Sequence, residues 1–217
     1  LELLARRKAT SKINTVLDQA DKGSANVKKA AYLALKDVVG EDDLTNMCGR
    51  LETTSAEFVA NLQDAVISSL SSMPTAKQVE TIVRRMYQAG DKKYLYYKVL
   101  ASTGEAKALD IIEKGYNEGS GAAKDAAFDA LLAWNGIESS EILFAISKEK
   151  GTATEAGKRA LDRYVQLVSD PSLSGENRLI RLRKAMEVAK ADNQRVAIMK
   201  QIEKTGTFLA VMYAGEF

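Results

Sequence analysis

The chain has 217 residues, 46% of them hydrophobic and 28% charged, with a formal net charge of +2. That apolar share supports a continuous core and argues against disorder, and the near-balance of charge argues against a nucleic-acid binder, whose domain is usually strongly basic. There is no histidine and one cysteine, which excludes Ser-His or Cys-His catalysis, a four-ligand Cys/His zinc site and an internal disulfide framework.

The opening residues, Leu1 to Lys8, lack an initiator Met and read as a cut inside a longer protein, which leaves a removed secretion signal open. Residues 1–21 predict a helix striped by Ile13, Val16, Leu17 and Ala20, followed by a turn at 21–24 and a helix over 27–39 that Gly40 stops. Glu41, Asp42 and Asp43 then place acid at the positive start of a helix striped by Leu44, Met47, Cys48 and Leu51, with Cys48 as a small core residue. Thr54 with Glu57, Thr75 with Gln78, and Thr152 with Glu155 have capping-box spacing and predict helix starts. Further stripes are Val79, Ile82, Val83, Met86 and Tyr87, then Ala108, Ile111, Ile112 and Tyr116, then Ile142, Ala145 and Ile146. Gly136 is expected to close the helix from Lys124 in the left-handed conformation. Residues 169–175 are the longest break, with Pro171 preventing a continuous helix and predicting a bend. Leu179, Leu182, Ala185, Met186 and Ala189 form the last stripe, and the apolar 208–213 predict one more helix after Gly206. No run of 18 apolar residues is present, so no membrane-spanning helix is expected.

Every second predicted helix is a version of one unit. Segments ending at Gly40, Ser72, Gly104, Gly136, Asp170 and Gly206 align with steps of 32, 32, 32, 34 and 36 residues. Ten residues before each end stand Ala30, Leu62, Tyr94, Ala126, Ala160 and Val196; five before stand Leu35, Ile67, Val99, Leu131, Val165 and Gln201. Offsets of 10, 9, 6, 5 and 2 trace one stripe of a helix. A lone hairpin cannot bury its apolar face, so about six stacked helical hairpins are predicted: an all-α fold forming one domain over 1–217.

Neither a phosphate-binding glycine loop nor a metal-ligand cluster occurs, so no cofactor or metal is expected and the region reads as non-catalytic. Near the start of the repeated helices stand Lys28, Lys92, Lys124 and Lys158, a basic ladder. A cation there opposes the helix dipole, so it needs a partner: loop oxygens and carboxylates of neighbouring repeats, or an anionic ligand. Tyr94, Tyr96 and Tyr97, with Tyr87 and Trp134 nearby, form an aromatic cluster. Tyr94 and Trp134 fall on the core stripe; Tyr96 and Tyr97 fall off it and are expected at the surface. Arg178, Arg181, Arg183 and Lys184 read as a solvated basic face.

Val27-Lys28-Lys29-Ala30-Ala31 with Ala34-Leu35, and Lys124-Asp125-Ala126-Ala127 with Ala130-Leu131, resemble the second helix of HEAT repeats. The resemblance implies a right-handed, armadillo/HEAT-like α-solenoid whose repeated helices line a concave surface for a protein partner. In that family the basic residue pairs with an Asp of the preceding loop; Asp91 stands so before Lys92, while Asn26 and Glu155 only approximate it. Segments 159–168 and 178–190 are similar to the helical repeat region of large secreted Bacteroidetes-type proteins, in which such repeats flank a jelly roll similar to 3-keto-glycoside hydrolases. That resemblance implies a scaffold beside an enzyme domain, located in the periplasm, the cell envelope or outside the cell. The expected function is a non-catalytic scaffold contacting protein through Tyr96, Tyr97, Asp129 and Arg163; the alternative is a glycan-binding accessory module.

Overall fold

The structure, a computed structural model, describes residues 1–215, the side chain at 214 excepted. Residues 216 and 217, the end of the expected domain over 1–217, lie outside the described residues. The described chain is all-helical, with no strand. It divides into two compact units, Leu1–Ala133 and Trp134–Phe217.

The first unit begins with the short α1 (Glu2–Arg6) and then alternates upstream and repeated helices. The upstream helices are α2 (Ile13–Lys22), α4 (Leu44–Thr53), α6 (Thr75–Ala89) and α8 (Ala106–Glu118). The repeated ones are α3 (Ala25–Val38), α5 (Val59–Leu70), α7 (Tyr97–Ala101) and α9 (Gly121–Ala133). Each repeated helix packs on its own upstream partner, and α3, α5, α7 and α9 also pack one on the next. The second unit holds α10 (Ser140–Lys150) against α11 (Glu155–Val168), α12 (Gly175–Val188) against α13 (Asp192–Glu203), and α14 (Phe208–Ala214) against α13. Short 3-10 turns lead into α2, α4, α5, α7 and α10.

The buried faces correct the repeat's phase. In the first copy Ala31, Ala34, Leu35 and Val38 are buried, whereas Ala30 is exposed. The same i, i+3, i+4, i+7 quartet recurs as Leu62, Ala65, Val66 and Ser69, then Tyr96, Val99, Leu100 and Thr103, then Ala127, Ala130, Leu131 and Trp134, all buried. In the second unit it is Leu161, Tyr164, Val165 and Val168, then Ile198, Gln201, Ile202 and Thr205, with Val165 and Gln201 half-buried. The quartets are therefore separated by 31, 34, 31, 34 and 37 residues rather than by a near-constant 32. One residue turns a helix face by about 100°. The near-constant spacing thus put the inward face one position off in the third and sixth copies, where the expected column residues Tyr94 and Val196 are half-buried and 53% exposed, whereas in the second copy the expected Leu62, Val66 and Leu70 are fully buried.

Upstream, Leu44, Met47, Cys48 and Leu51 are buried as expected, and so are all five of Leu179, Leu182, Ala185, Met186 and Ala189. Burial pushes the Cys48 thiol above its ordinary range, so it packs as an inert small apolar group. Two stripes depart from expectation: Tyr87 is 84% exposed, and α10 buries Ser140, Leu143, Ile146 and Ser147 while Ala145 faces out.

Capping differs in detail. Thr154, not Thr152, is the N-cap of α11, its hydroxyl accepting from the Gly157 N–H at 3.1 Å. Thr152 instead donates to the Val188 carbonyl at 2.8 Å and accepts from the Gln194 amide at 3.0 Å, tying α13 to the end of α12. Neither Thr54 nor Thr75 is an N-cap: Thr54 closes α4 at its C-terminal end, Thr75 is the first residue of α6, Ser55 precedes the 3-10 turn before α5, and Gln78 donates to the Met73 carbonyl at 2.8 Å. Gly136 has φ −93 and is not left-handed; the Glu138 carboxylate lies beside it, 3.4 Å from the Trp134 Nε1–H. Left-handed stops do occur at Gly104 and Gly206, with φ of 69 and 67. The break at 169–174 is present, and the Asp170 carboxylate accepts from the Ser172 N–H at 2.8 Å within it.

Candidate functional site

In the first unit Gly90, at φ 56, ends α6 and turns the chain into a 3-10 segment, Gly90–Tyr96. This uses residues that α-helix would otherwise take, so α7 is only five residues long. Its quartet starts at Tyr96, the position held by Ala31 and Leu62 in the first two copies. Tyr96 is therefore fully buried rather than at the surface, and its hydroxyl donates to Glu52 Oε1 at 2.5 Å. Desolvation and the Glu52 carboxylate push the Tyr96 phenol far above its ordinary value.

Tyr97 is also buried, at 3% exposure, which corrects its expected surface placement. Its ring crosses the backbone of α8 at Gly115, where a Cβ would collide with the phenol oxygen and ring. Burial, then the nearby Glu118 charge, raises the Tyr97 pKa, so the phenol stays neutral and able to donate. Among the described residues the buried side-chain polar atoms without a hydrogen-bond partner are Arg163 Nε and Arg178 Nε, and the Tyr97 hydroxyl is not one of them.

Tyr97 lines a cleft of about 730 Å³ bordered by α6 and α8. Half-buried or buried Val83, Met86, Ile111 and Ala123 supply its apolar floor. Exposed Tyr87, Asp91, Lys93, Lys114 and Glu118 supply its rim. The rim carries two acids and two bases, and Lys114 and Glu118 pair at 3.8 Å. Gly115 on α8 and Gly119 just past its end both border the cleft and carry no side chain. A second cleft, of about 320 Å³, lies between α11 and α13 in the other unit. Asp162, Gln166, Gln194 and Gln201 line it over Leu161 and Ile198.

The other expected contacts are dispersed. Asp129 is exposed on α9. Arg163 is half-buried and committed within the second unit, donating to the Trp134 carbonyl and to Gln166 Oε1, each at 2.6 Å. The ladder lysines separate as well. Lys28 sits close enough to Asp21 to lower its pKa. The Lys92 ammonium donates to the Glu52 carbonyl in the last turn of α4, where the helix dipole favours a cation. Lys124 lies 4.6 Å from the centre of the Tyr116 ring, and Lys158 is exposed. In the first unit, ion pairs between successive repeats run from Lys29 to Glu57 at 3.1 Å, Lys98 to Asp64 at 2.7 Å and Arg50 to Asp21 at 2.7 Å, none of them expected contacts. The basic face of α12 is partly neutralised, Arg181 lying 2.9 Å from Glu141 and Arg183 4.8 Å from the Tyr213 ring. The aromatic cluster thus presents one fully open ring, Tyr87, while Trp134 is buried.

The cleft itself was missed from sequence. Its signal was Gly115, a glycine inside a helix where alanine costs less, which pointed to close approach, with Gly119 standing just past the end of that helix.

Among the described residues no cluster of three or more His, Cys, Asp or Glu side chains suits a metal, and no helix is long and apolar enough to cross a membrane. What the fold defines is an all-α protein of paired helices. No protein-family model, curated protein or solved structure matches the chain.

Proposed function

We propose that the chain is a HEAT-like helical-repeat scaffold that holds a protein partner, six hairpins forming one right-handed α-solenoid domain beside further domains of a longer envelope or secreted protein. The observation that carries this reading is the first unit's row of repeated helices, α3, α5, α7 and α9, each packed on its upstream helix and on the next in line. Such rows leave extended helical surfaces for recognition and put no reactive group in a closed site. The reading is supported by the missing histidine and by basic residues engaged between repeats, such as Lys29 with Glu57 and Lys98 with Asp64. The scaffold reading is tested by selecting displayed random peptides against the whole folded chain. Enriched peptides whose amide-shift footprints fall on helical surfaces are expected; a folded chain that enriches none overturns the interaction role. Small-angle scattering tests the stacked shape, with a radius of gyration above the roughly 17 Å of a compact globule of this length expected.

The glycan-binding alternative retains one supporting observation, the open Tyr87 ring at the rim of the charged cleft. Burial of Tyr96, Tyr97 and Trp134 removes the rest of the expected aromatic platform.

A further inference from the structure

Asn135 and Gly136 stand between the last residues of α9 and the 3-10 turn Ile137–Ser139. Asn135 is exposed and outside any helix, and Gly136 is extended, at φ −93 and ψ 157. Every other asparagine of the chain lies inside an α-helix and precedes a residue that carries a side chain. The contrast bears on the chemistry of the amide. An asparagine side chain is open to attack by the backbone nitrogen of the next residue, which closes a five-membered ring. A helix blocks this, because its nitrogens are tied to carbonyls one turn back. A side chain on the next residue crowds the attack, and glycine does not.

The surroundings of the amide point the same way. Arg163 Nη2 donates to Asn135 Oδ1 at 3.4 Å, which draws electron density from Cγ and leaves the amide nitrogen as the group to be expelled. Arg163 also donates to the Trp134 carbonyl and to Gln166 Oε1, each at 2.6 Å, so the acceptors at its terminal nitrogens are neutral oxygens. The residue is half-buried, and its Nε is buried with no partner. Such a cation gains more from a carboxylate than from an amide, since charge-assisted hydrogen bonds are the stronger kind. The Glu138 carboxylate beside Gly136 is turned to Trp134 Nε1 at 3.4 Å.

We propose that Asn135 is a self-modifying site, which loses ammonia through attack by Gly136 and becomes a carboxylate that pairs with Arg163. In the first step the Gly136 nitrogen gives its proton to hydroxide and bonds to Asn135 Cγ. The Cγ–Nδ2 bond breaks, and the nitrogen leaves as ammonia with a proton from water, which restores the hydroxide. In the second step water adds to either carbonyl of the ring and opens it, giving aspartate or its β-linked isomer and releasing one proton. No oxidant or reductant takes part. The aspartate product keeps the main chain unchanged and sets its charge against Arg163.

The test holds the whole chain in mildly alkaline buffer and follows each asparagine by mass spectrometry of its proteolytic peptides. Position 135 is expected to convert about tenfold faster than any asparagine within a helix. Melting curves then test the pairing. Asn135→Asp is expected to raise the melting temperature by about 2 °C, a gain that shrinks in molar salt and is absent in an Arg163→Gln background. The salt arm reads the pairing in the single variant, whether or not Arg163→Gln folds. The proposal is overturned if position 135 converts no faster than the helical asparagines, if Asn135→Asp gains nothing, or if its gain persists in molar salt or in a folded Arg163→Gln variant.

Discussion

Single residues carry most of what is testable here. Gly115 is required for packing, because Tyr97 passes over its backbone. In an open helix Gly→Ala stabilises by about 1 kcal/mol, but forcing an extra carbon into a filled space costs about 1–3 kcal/mol. Gly115→Ala is therefore expected to destabilise on denaturant titration, and to become neutral or stabilising when Tyr97→Leu removes the ring. Two additive single effects would show that the two residues do not meet.

Tyr164 gives a pH signature. Burial first, and then the Glu141 charge, push its pKa up to about 12 from an ordinary 10.0, and its hydroxyl donates to the Arg181 carbonyl at 3.1 Å. The folded state thus holds the proton more tightly than the unfolded one. Its contribution is complete below about pH 10 and is lost as pH climbs toward 12. Tyr164→Phe is expected to flatten the fall in stability across that alkaline window, measured as denaturation midpoints at a series of pH values. Asp21 runs the opposite way: the hydrogen bond from Arg50 lowers its pKa, so its contribution is present above the ordinary carboxylate range and fades as acid protonates it. With Asp21 about half exposed, solvent screens the pair, and Arg50→Ala is expected to cost no more than about 1 kcal/mol near neutrality.

At the scale of one helix, phase decides burial. Leu95 belongs to the column expected to face inward, yet it is half-buried, whereas Leu100 is fully buried. Leu100→Ala is expected to cost about 2–5 kcal/mol and Leu95→Ala less than half as much in chemical denaturation. Equal costs would restore the near-constant spacing. The physical reason for the difference is local: the 3-10 segment Gly90–Tyr96 and the five-residue α7 change how many residues the chain takes to reach the same contact. The lysines show the same dependence. Their spacing suggested a line of cations along the repeated helices; folded, Lys92 meets the carbonyl end of α4 while Lys124 lies over Tyr116.

Across the whole molecule, cohesion in a repeat chain is a matter of neighbours, since each hairpin touches chiefly the next. Leu35 is fully buried in α3, which packs on α2 and α5. Leu35→Ala is accordingly expected to accelerate hydrogen exchange in α2 to α5 and to leave α12 and α13 unchanged. A uniform loss of protection would show a globally cooperative core instead.

The amino-acid order alone determined the helical class, the alternation of upstream and repeated helices, and most of the inward faces, because a 3.6-residue period is written locally in where apolar side chains fall. It also ruled out histidine chemistry outright. Tertiary structure decided the rest. Which face of α7 turns inward depends on the residues spent in the preceding turn, and whether Tyr97 is surface or core depends on a bare glycine on a neighbouring helix. The cleft bordered by α6 and α8 exists only where segments distant in sequence converge, and nothing in local periodicity encodes that meeting.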